Sequence, residues 1–383
     1  MTIKTDAWVV HAGKEGAPPE PTVLHREAFE FSDPAPDEAL VEPLFGCMEG
    51  NMGHILDRRP IDICLARKEP RCVPGNAGVV RVIKAGSECK TVRDGDTAIL
   101  FCNGTPDAFG YPQKIFGYDD PGSIGMLARQ TKLKSHQMIP IPADTKHSLE
   151  RWAAFSLRYV TAWSNWELAY GTLRLLLDQT ELPHPHVWGW GGGVTLGELV
   201  LAKHAGCHAV QIASTDDRLA MIESQGLVAV DRREFKDLYF EKSRFRSDKA
   251  YTDRYIAAEK VFLQKVTELT GGNLVNIFID YVGVPVFRAT IKATTRESVI
   301  TTAGWKEGMM IDLVRATECI DRRQHINTHY ARYPQGVAAV AFAEAHDWLP
   351  PVDEVFSYDD VPRMFEEYNK NTLGWFPIYA VNG

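Results

Sequence analysis

Several things are missing from this chain. No apolar run approaches the roughly 18 residues needed to cross a bilayer, so a membrane-spanning protein is not expected. Positive charge is not in excess: 42 Lys and Arg against 50 Asp and Glu leave a formal net charge of −8. That balance gives no basis for binding nucleic acid or an anionic membrane. The seven cysteines are scattered at 47, 64, 72, 89, 102, 207 and 319, an odd number with no CxxC pair. Such usage predicts reduced thiols in a cytoplasmic protein. The opening MTIKTDAWVVHAG has no signal-peptide core, and no segment is repeated or of low complexity. What is present is ordinary for a soluble globular protein, with 383 residues, 45% hydrophobic and 24% charged. A length of this order predicts two domains.

The strongest local signal lies at 187–206, VWGWGGGVTLGELVLAKHAG. Apolar residues run into a tight glycine turn and straight on into an apolar helix. Glycines remove the Cβ atoms that would keep a pyrophosphate from the backbone, and a helix N-terminus offers free amides with a partial positive charge. A dinucleotide is therefore the first ligand to expect. Gly191, Gly192 and Gly193 hold the close-approach positions, followed by Val194. Thr195 stands where the last glycine of the usual pattern would be, and Trp190 reads as a bulky residue inside the turn. The next strand ends in Ala213-Ser214-Thr215 and leads to Asp216-Asp217-Arg218. An NAD enzyme would place a carboxylate there for the ribose hydroxyls. Ser214 with Arg218 close behind suits a 2′-phosphate instead, so NADPH is the expected cofactor, although Asp216 is able to turn toward a ribose.

The nucleotide-binding module comes second in the chain. Residues 7–10, 39–45, 78–83 and 94–100 read as strands and turns of a mainly β region. A helical period begins near 149. From 187 onward strands (187–190, 209–213, 276–280, 298–302) alternate with helices (196–204, 217–225), the pattern of a doubly wound parallel sheet. The stretch 233–269 is polar and basic, then helical, and is long for such a connection. The tail from Asp353 holds a strand-like piece, a helix at 361–369 and a last apolar strand near 375–381.

This order resembles the medium-chain dehydrogenase/reductase superfamily. The markers are GNAGVVRVIKAGSECKTVRDGDTAIL (75–100), TAW (161–163) and the glycine turn. IFGYDD (115–120), DRREF (231–235) with its long basic insert, LTGGNLVNIFIDYVG (269–283) and NTHYARY (327–333) resemble its crotonyl-CoA carboxylase/reductase branch of enoyl-thioester reductases. The resemblance implies an α/β protein: a GroES-like β-rich catalytic domain at 1–155, a Rossmann NADP-binding domain at 156–335, and a tail at 336–383 that returns to the first. It implies an active site in the cleft between the domains, with Thr161 among the cofactor contacts. It also implies a homodimer or homotetramer paired through an edge strand near 325–330.

Cys47, in FGCMEGN, matches the superfamily's first catalytic zinc position, but Asn76 replaces the histidine expected as second ligand and Ala77 the glutamate after it. The four-cysteine structural lobe is also missing. An amide is a poor zinc ligand and three good ligands are normally required, so no metal is expected. Alcohol oxidation then loses its electrophile. Reduction of an enoyl thioester does not need one, because the thioester carbonyl already activates the β-carbon.

In the carboxylating branch an asparagine, a phenylalanine–glutamate pair and a histidine hold CO2 beside the enolate. These positions fall at Asn51, at Tyr118 and Asp119, and at His329. Asp119 reaches about 1.5 Å less far than glutamate, and Tyr118 adds a hydroxyl able to hold water. Both changes favour protonation over carboxylation. The plainer alternatives are that Asn51 caps a helix, Tyr118 and Asp119 form a turn, and His329 sits at a strand edge. The insert's Lys236, Lys242, Arg244, Arg246, Lys249 and Arg254 are candidates to receive the phosphates of coenzyme A or an acyl carrier protein. The sequence therefore predicts NADPH-dependent reduction of an enoyl-CoA or enoyl carrier protein thioester. Reductive carboxylation, a zinc-free quinone or ketone reductase, and a nucleotide-binding protein without turnover are the alternatives.

Overall fold

The computed structural model describes residues 2–304, 310–352 and 354–383. Asp353, where the sequence reading begins the tail, lies outside the described residues. The chain divides into two compact units: residues 1–161 with 330–383, and residues 162–329.

The first unit is β-rich. Strands β1 (Thr2–His11), β2 (His25–Ser32) and β4 (Arg71–Cys72) make one antiparallel sheet in the order β2-β1-β4. A larger sheet is built on β3 (Glu38–Cys47), which pairs antiparallel with β5 (Gly78–Ala85) and with β7 (Thr131–Lys134). Beyond β5 lie β6 (Thr97–Leu100) and β8 (Met138–Pro140). From Val80 on, β5 alternates, with Val80 and Val82 buried and Arg81 and Ile83 facing out. This two-residue alternation is why β5 was legible as a half-buried strand. A short helix α1 (Ile63–Arg67) is capped by Asp62, whose carboxylate accepts from the amides of Cys64 and Leu65. Helix α2 (Leu149–Leu176) follows β8.

The second unit is a six-stranded sheet in the order β11-β10-β9-β12-β13-β14, every pair parallel. Its strands are β9 (His186–Trp190), β10 (His208–Ala213), β11 (Val228–Asp231), β12 (Val275–Asp280), β13 (Thr294–Thr302) and β14 (His325–Asn327). They alternate with α3 (Gly193–His204), α4 (Asp216–Ser224), α5 (Lys242–Ser247), α6 (Lys249–Leu269) and α7 (Val284–Ala293). All of β12 is buried, as a parallel strand covered on both faces must be. The doubly wound expectation holds. The order reverses beside β9, so the turn after β9 sits at the topological switch point, where ligands of such sheets bind.

The long insert has a packing function. Tyr251, Tyr255, Ala258, Phe262 and Val266 recur at helical spacing on α6 and are buried, most of them in one cluster with Trp188, Trp190 and Phe278 of the sheet.

The chain then returns to the first unit through α8 (Tyr333–His346), β15 (Val355–Phe356), α9 (Val361–Asn369) and β16 (Ile378–Ala380). β16 enters the larger sheet between β15 and β3, pairing antiparallel with β3 so that Ile378 lies opposite Cys47.

Candidate functional site

The glycine turn is built around Thr195. Gly191 has φ of 138°, and a Cβ there would sit 2.4 Å from Thr195 Oγ1; a Cβ on Gly189 would sit 2.4 Å from Thr195 Cγ2. The threonine that replaces the last glycine of the usual pattern thus fills the hollow under the turn, and the two glycines make room for it. Its hydroxyl donates to Trp190 O at 3.2 Å. From the neighbouring strand Gln211 Nε2 lies 3.4 Å from both Gly191 O and Gly192 O. Gly192 is the N-cap of α3, and Gly193, Val194 and Thr195 begin the helix. Amides of a first helical turn have no acceptor within the helix, so the turn keeps the donors an anionic pyrophosphate requires.

Trp190 is not inside the turn, contrary to the sequence reading. It ends β9, its indole is buried with Phe235, Phe262 and Phe278, and its Nε1 donates to Thr290 Oγ1 at 2.8 Å. Thr290 in turn donates to Asp280 at 2.7 Å, and Asp280 accepts from the amides of Val282 and Gly283. Burial pushes Asp280 up to about 6. The alternation of side chains along a strand sends residue 190 into the core, which no turn motif reveals.

At the end of β10, Ser214 is exposed and Arg218 is half-buried on α4. Asp216, the rival ribose ligand, is held by Arg233, whose Nη2 lies 2.5 Å from Asp216 Oδ1 and 2.7 Å from Asp231 Oδ2. Nothing local in the sequence hints at this pairing, because Arg233 comes from the following strand–helix junction. Thr161 lies within α2, half-buried.

The four residues carried over from the carboxylating branch fall in both units. Asn51 precedes a short 3-10 turn, Met52–His54, and its side chain makes no capping hydrogen bond. Tyr118 is buried in the apolar cluster around Met48 and Met52, and burial, with the charge of Asp119, pushes its hydroxyl up to about 12. Asp119 closes its own turn: Oδ1 accepts from the Ile115 amide at 2.8 Å, and Oδ2 lies 3.3 Å from Lys114 Nζ. His329 belongs to the second unit, just beyond β14. Both ends of the Asn165 amide hold its backbone: Oδ1 accepts from His329 N at 3.1 Å and Nδ2 donates to His329 O at 3.3 Å. Thr301 Oγ1 donates to the same Oδ1 at 3.2 Å. Asn165 was invisible in the sequence, where it is one polar residue in a long helical run.

Cys47 tests whether this chain fits the zinc that the resemblance of its motifs raises. The thiol is fully buried and burial pushes it up, toward the neutral form. Asn76, in the second-ligand position, is 1% exposed, and neither Oδ1 nor Nδ2 has a hydrogen-bond partner in the protein. Arg158 Nη1 lies 2.8 Å from Cys47 Sγ. Among the described residues no group of three His, Cys, Asp or Glu side chains is placed to hold a metal ion. The donor set does not fit zinc.

Several cations of the insert are matched by acids. Lys242 pairs with Asp312 at 2.6 Å, Lys249 with Asp253 at 2.6 Å, and Arg244 lies 3.7 Å from Glu241 and 3.8 Å from Asp248. No described helix is long and apolar enough to cross a membrane.

No family model matches the chain. A crotonyl-CoA reductase of Streptomyces avermitilis is 24% identical over 396 residues, spanning 97% of this chain and 85% of the relative. Two solved structures share the fold. The crotonyl-CoA carboxylase/reductase AntE in complex with NADP superposes with a TM-score of 0.80 at 17% identity, covering 99% of this chain and 95% of the other. The 2-octenoyl-CoA carboxylase reductase CinF in complex with NADP and 2-octenoyl-CoA gives a TM-score of 0.81 at 18% identity, covering 99% and 88%. In sequence and in fold this chain is therefore similar to the crotonyl-CoA carboxylase/reductase branch of the medium-chain dehydrogenase/reductase superfamily, as its motifs imply.

Proposed function

We propose that the chain is an NADPH-dependent reductase of an α,β-unsaturated acyl-CoA thioester. The observation that carries the reading is the glycine turn at the switch point of the parallel sheet, with Ser214 just past the next strand and Arg218 on the helix that follows. The names of similar proteins, with NADP bound in two solved neighbours, support both the cofactor and the substrate class.

The amides after Gly192 would hold the pyrophosphate, and Arg218 with Ser214 would meet the 2′-phosphate. Arg233 takes up Asp216, which lowers the repulsion a free carboxylate would offer that phosphate. NADPH, when bound, supplies a hydride to the β-carbon. Asn51 and His329 are the residues we place at the resulting enolate, where stabilising developing charge is usually the largest catalytic contribution. Asn165 keeps His329 in position through its backbone.

Protonation of the α-carbon is favoured over addition of CO2. Asp119 is shorter than the glutamate of the carboxylating pattern, and both its oxygens are already engaged by Ile115 and Lys114. Reductive carboxylation is the second reading, favoured by the names of the two solved neighbours and by the uncapped Asn51 side chain. NADPH consumption on short and medium enoyl-CoA substrates, with and without bicarbonate, followed by product mass, separates the two. A mainly carboxylated product in saturating bicarbonate would reverse the preference, and no consumption on any enoyl thioester would sink both. Pairing of two chains through β14, the terminal strand of its sheet, is the assembly we expect.

A further inference from the structure

Arg158 was not singled out by its sequence, yet it is the buried cation that organises the loop after β3. It lies on α2, 6% exposed, and all three guanidinium nitrogens are used on that segment. Nη1 meets Cys47 Sγ at 2.8 Å, Nη2 donates to Met48 O at 2.5 Å, and Nε lies 3.3 Å from Glu49 Oε2. The ring of Phe376 lies under it, 5.7 Å from Cζ. A guanidinium stays charged and its donors form a rigid fork, so one side chain ties a thiol, a carbonyl and a carboxylate together. Binding several donors from one loop around a fixed positive charge is what a metal ion does.

We propose that Arg158 stands in for a metal ion: its guanidinium occupies the coordination position on Cys47 and acts as the positioning cation of the 47–51 segment, which carries Asn51. Zinc bonds a cysteine sulfur at about 2.3 Å. A nitrogen 2.8 Å from that sulfur leaves no room for the ion on the same side. The backbone still brings the second-ligand position to Cys47, whose amide donates to Ala77 O at 3.1 Å. Asn76, the residue before Ala77, is buried without a hydrogen-bond partner on either amide atom and is a poor ligand. The replacement is therefore double. A ligand has been lost at Asn76, and the charge it helped to hold is supplied by the protein.

The proposal extends the enoyl-thioester reading, and its test does not depend on that reading. The purified chain is titrated with cobalt(II), and the thiolate-to-cobalt charge-transfer absorption is recorded. The unaltered protein and Asn76→His should both show none, because Arg158 still covers Cys47. Asn76→His with Arg158→Ala should gain the band, and Cys47→Ala in that background should remove it. A band in Asn76→His alone overturns the proposal, as does a folded double variant that stays without one. If the double variant does not fold, as far-ultraviolet circular dichroism would report, the Asn76→His arm decides: a band there refutes the guanidinium's role and its absence in the folded variant supports it. Loss of turnover in the cobalt-free unaltered protein would bear on the proposed reaction and leave this result unchanged.

Discussion

Glu49 in the first unit and Glu198 in the second are both buried carboxylates next to a loop proposed to act in the reaction, and they are stabilised by opposite means. Glu49 faces a cation, with Arg158 Nε 3.3 Å from its Oε2. Glu198, one helical turn beyond Thr195, accepts instead from the neutral hydroxyl of Tyr281 at 2.6 Å, and Oε1 of each carboxylate has no hydrogen-bond partner in the protein. Burial raises both, Glu49 to about 7 against the pull of Arg158 and Glu198 to about 8. A cation recovers part of the cost of burying a carboxylate, while a lone hydroxyl leaves the protonated form as the more stable one. The first unit thus holds a charged centre at Cys47 and Glu49. The second has kept the shape of its turn and absorbed a changed residue.

The largest effect should come from breaking the charged centre. Arg158→Met leaves Glu49 buried and unpaired, and should cost about 3–5 kcal/mol in a urea unfolding series. Adding Glu49→Gln should restore part of it; an unchanged midpoint in Arg158→Met would show that the ion pair carries no stability.

The neutral centre should show itself through pH. Glu198 is raised above its ordinary value, so its contribution is full at low pH and is lost as pH rises through about 8. Each tenfold change in proton affinity is worth about 1.4 kcal/mol, so the loss between about pH 5 and 8 comes to about 3–4 kcal/mol. Glu198→Gln should remove that slope from the melting temperature while leaving low-pH stability nearly unchanged. Parallel pH curves for the two proteins would refute this.

A smaller effect is expected at the cofactor. Arg218→Ala should weaken NADPH by about 1.5–3 kcal/mol, the range for a hydrogen bond to a charged group, and leave NADH binding alone. Equal affinity of the unaltered protein for both cofactors would assign the ribose to Asp216.

The last test compares shape with charge. Gly191→Ala drives a Cβ to within 2.4 Å of Thr195 Oγ1 and should cost about 1–3 kcal/mol of stability, the usual cost of overpacking, with weaker NADPH binding. Thr195→Gly in the same chain should return part of it, with the remainder set by the positive φ at position 191. No recovery would mean that Thr195 is not what makes Gly191 necessary.

The fold was largely legible because its signals are local. The glycine turn, the two-residue alternation of β5 and the fully buried β12 each lie within a few neighbouring residues. The parts that were missed depend on distance in sequence. Arg158 meets Cys47 from 111 positions away, Asn165 holds His329 from 164, and Trp190 finds Thr290 from 100. Within α2 neither Arg158 nor Asn165 breaks the helical pattern, so nothing local marks them. Asp119 was read for its reach. Its turn, closed through Ile115 and Lys114, could be weighed only once the loop was seen folded.

The position of β16 has a consequence for synthesis. Residues 378–380 lie inside the larger sheet of the first unit, between β15 and β3. A ribosome making this chain therefore finishes every residue of the second unit while that sheet still lacks an interior strand. The unit that starts first is the one completed last. Until residues 378–380 emerge, the backbone of β3 from Phe45 to Cys47, which they will pair, has an open edge. During that interval the nascent protein is exposed to wrong strand partners at the very segment that leads into its charged centre.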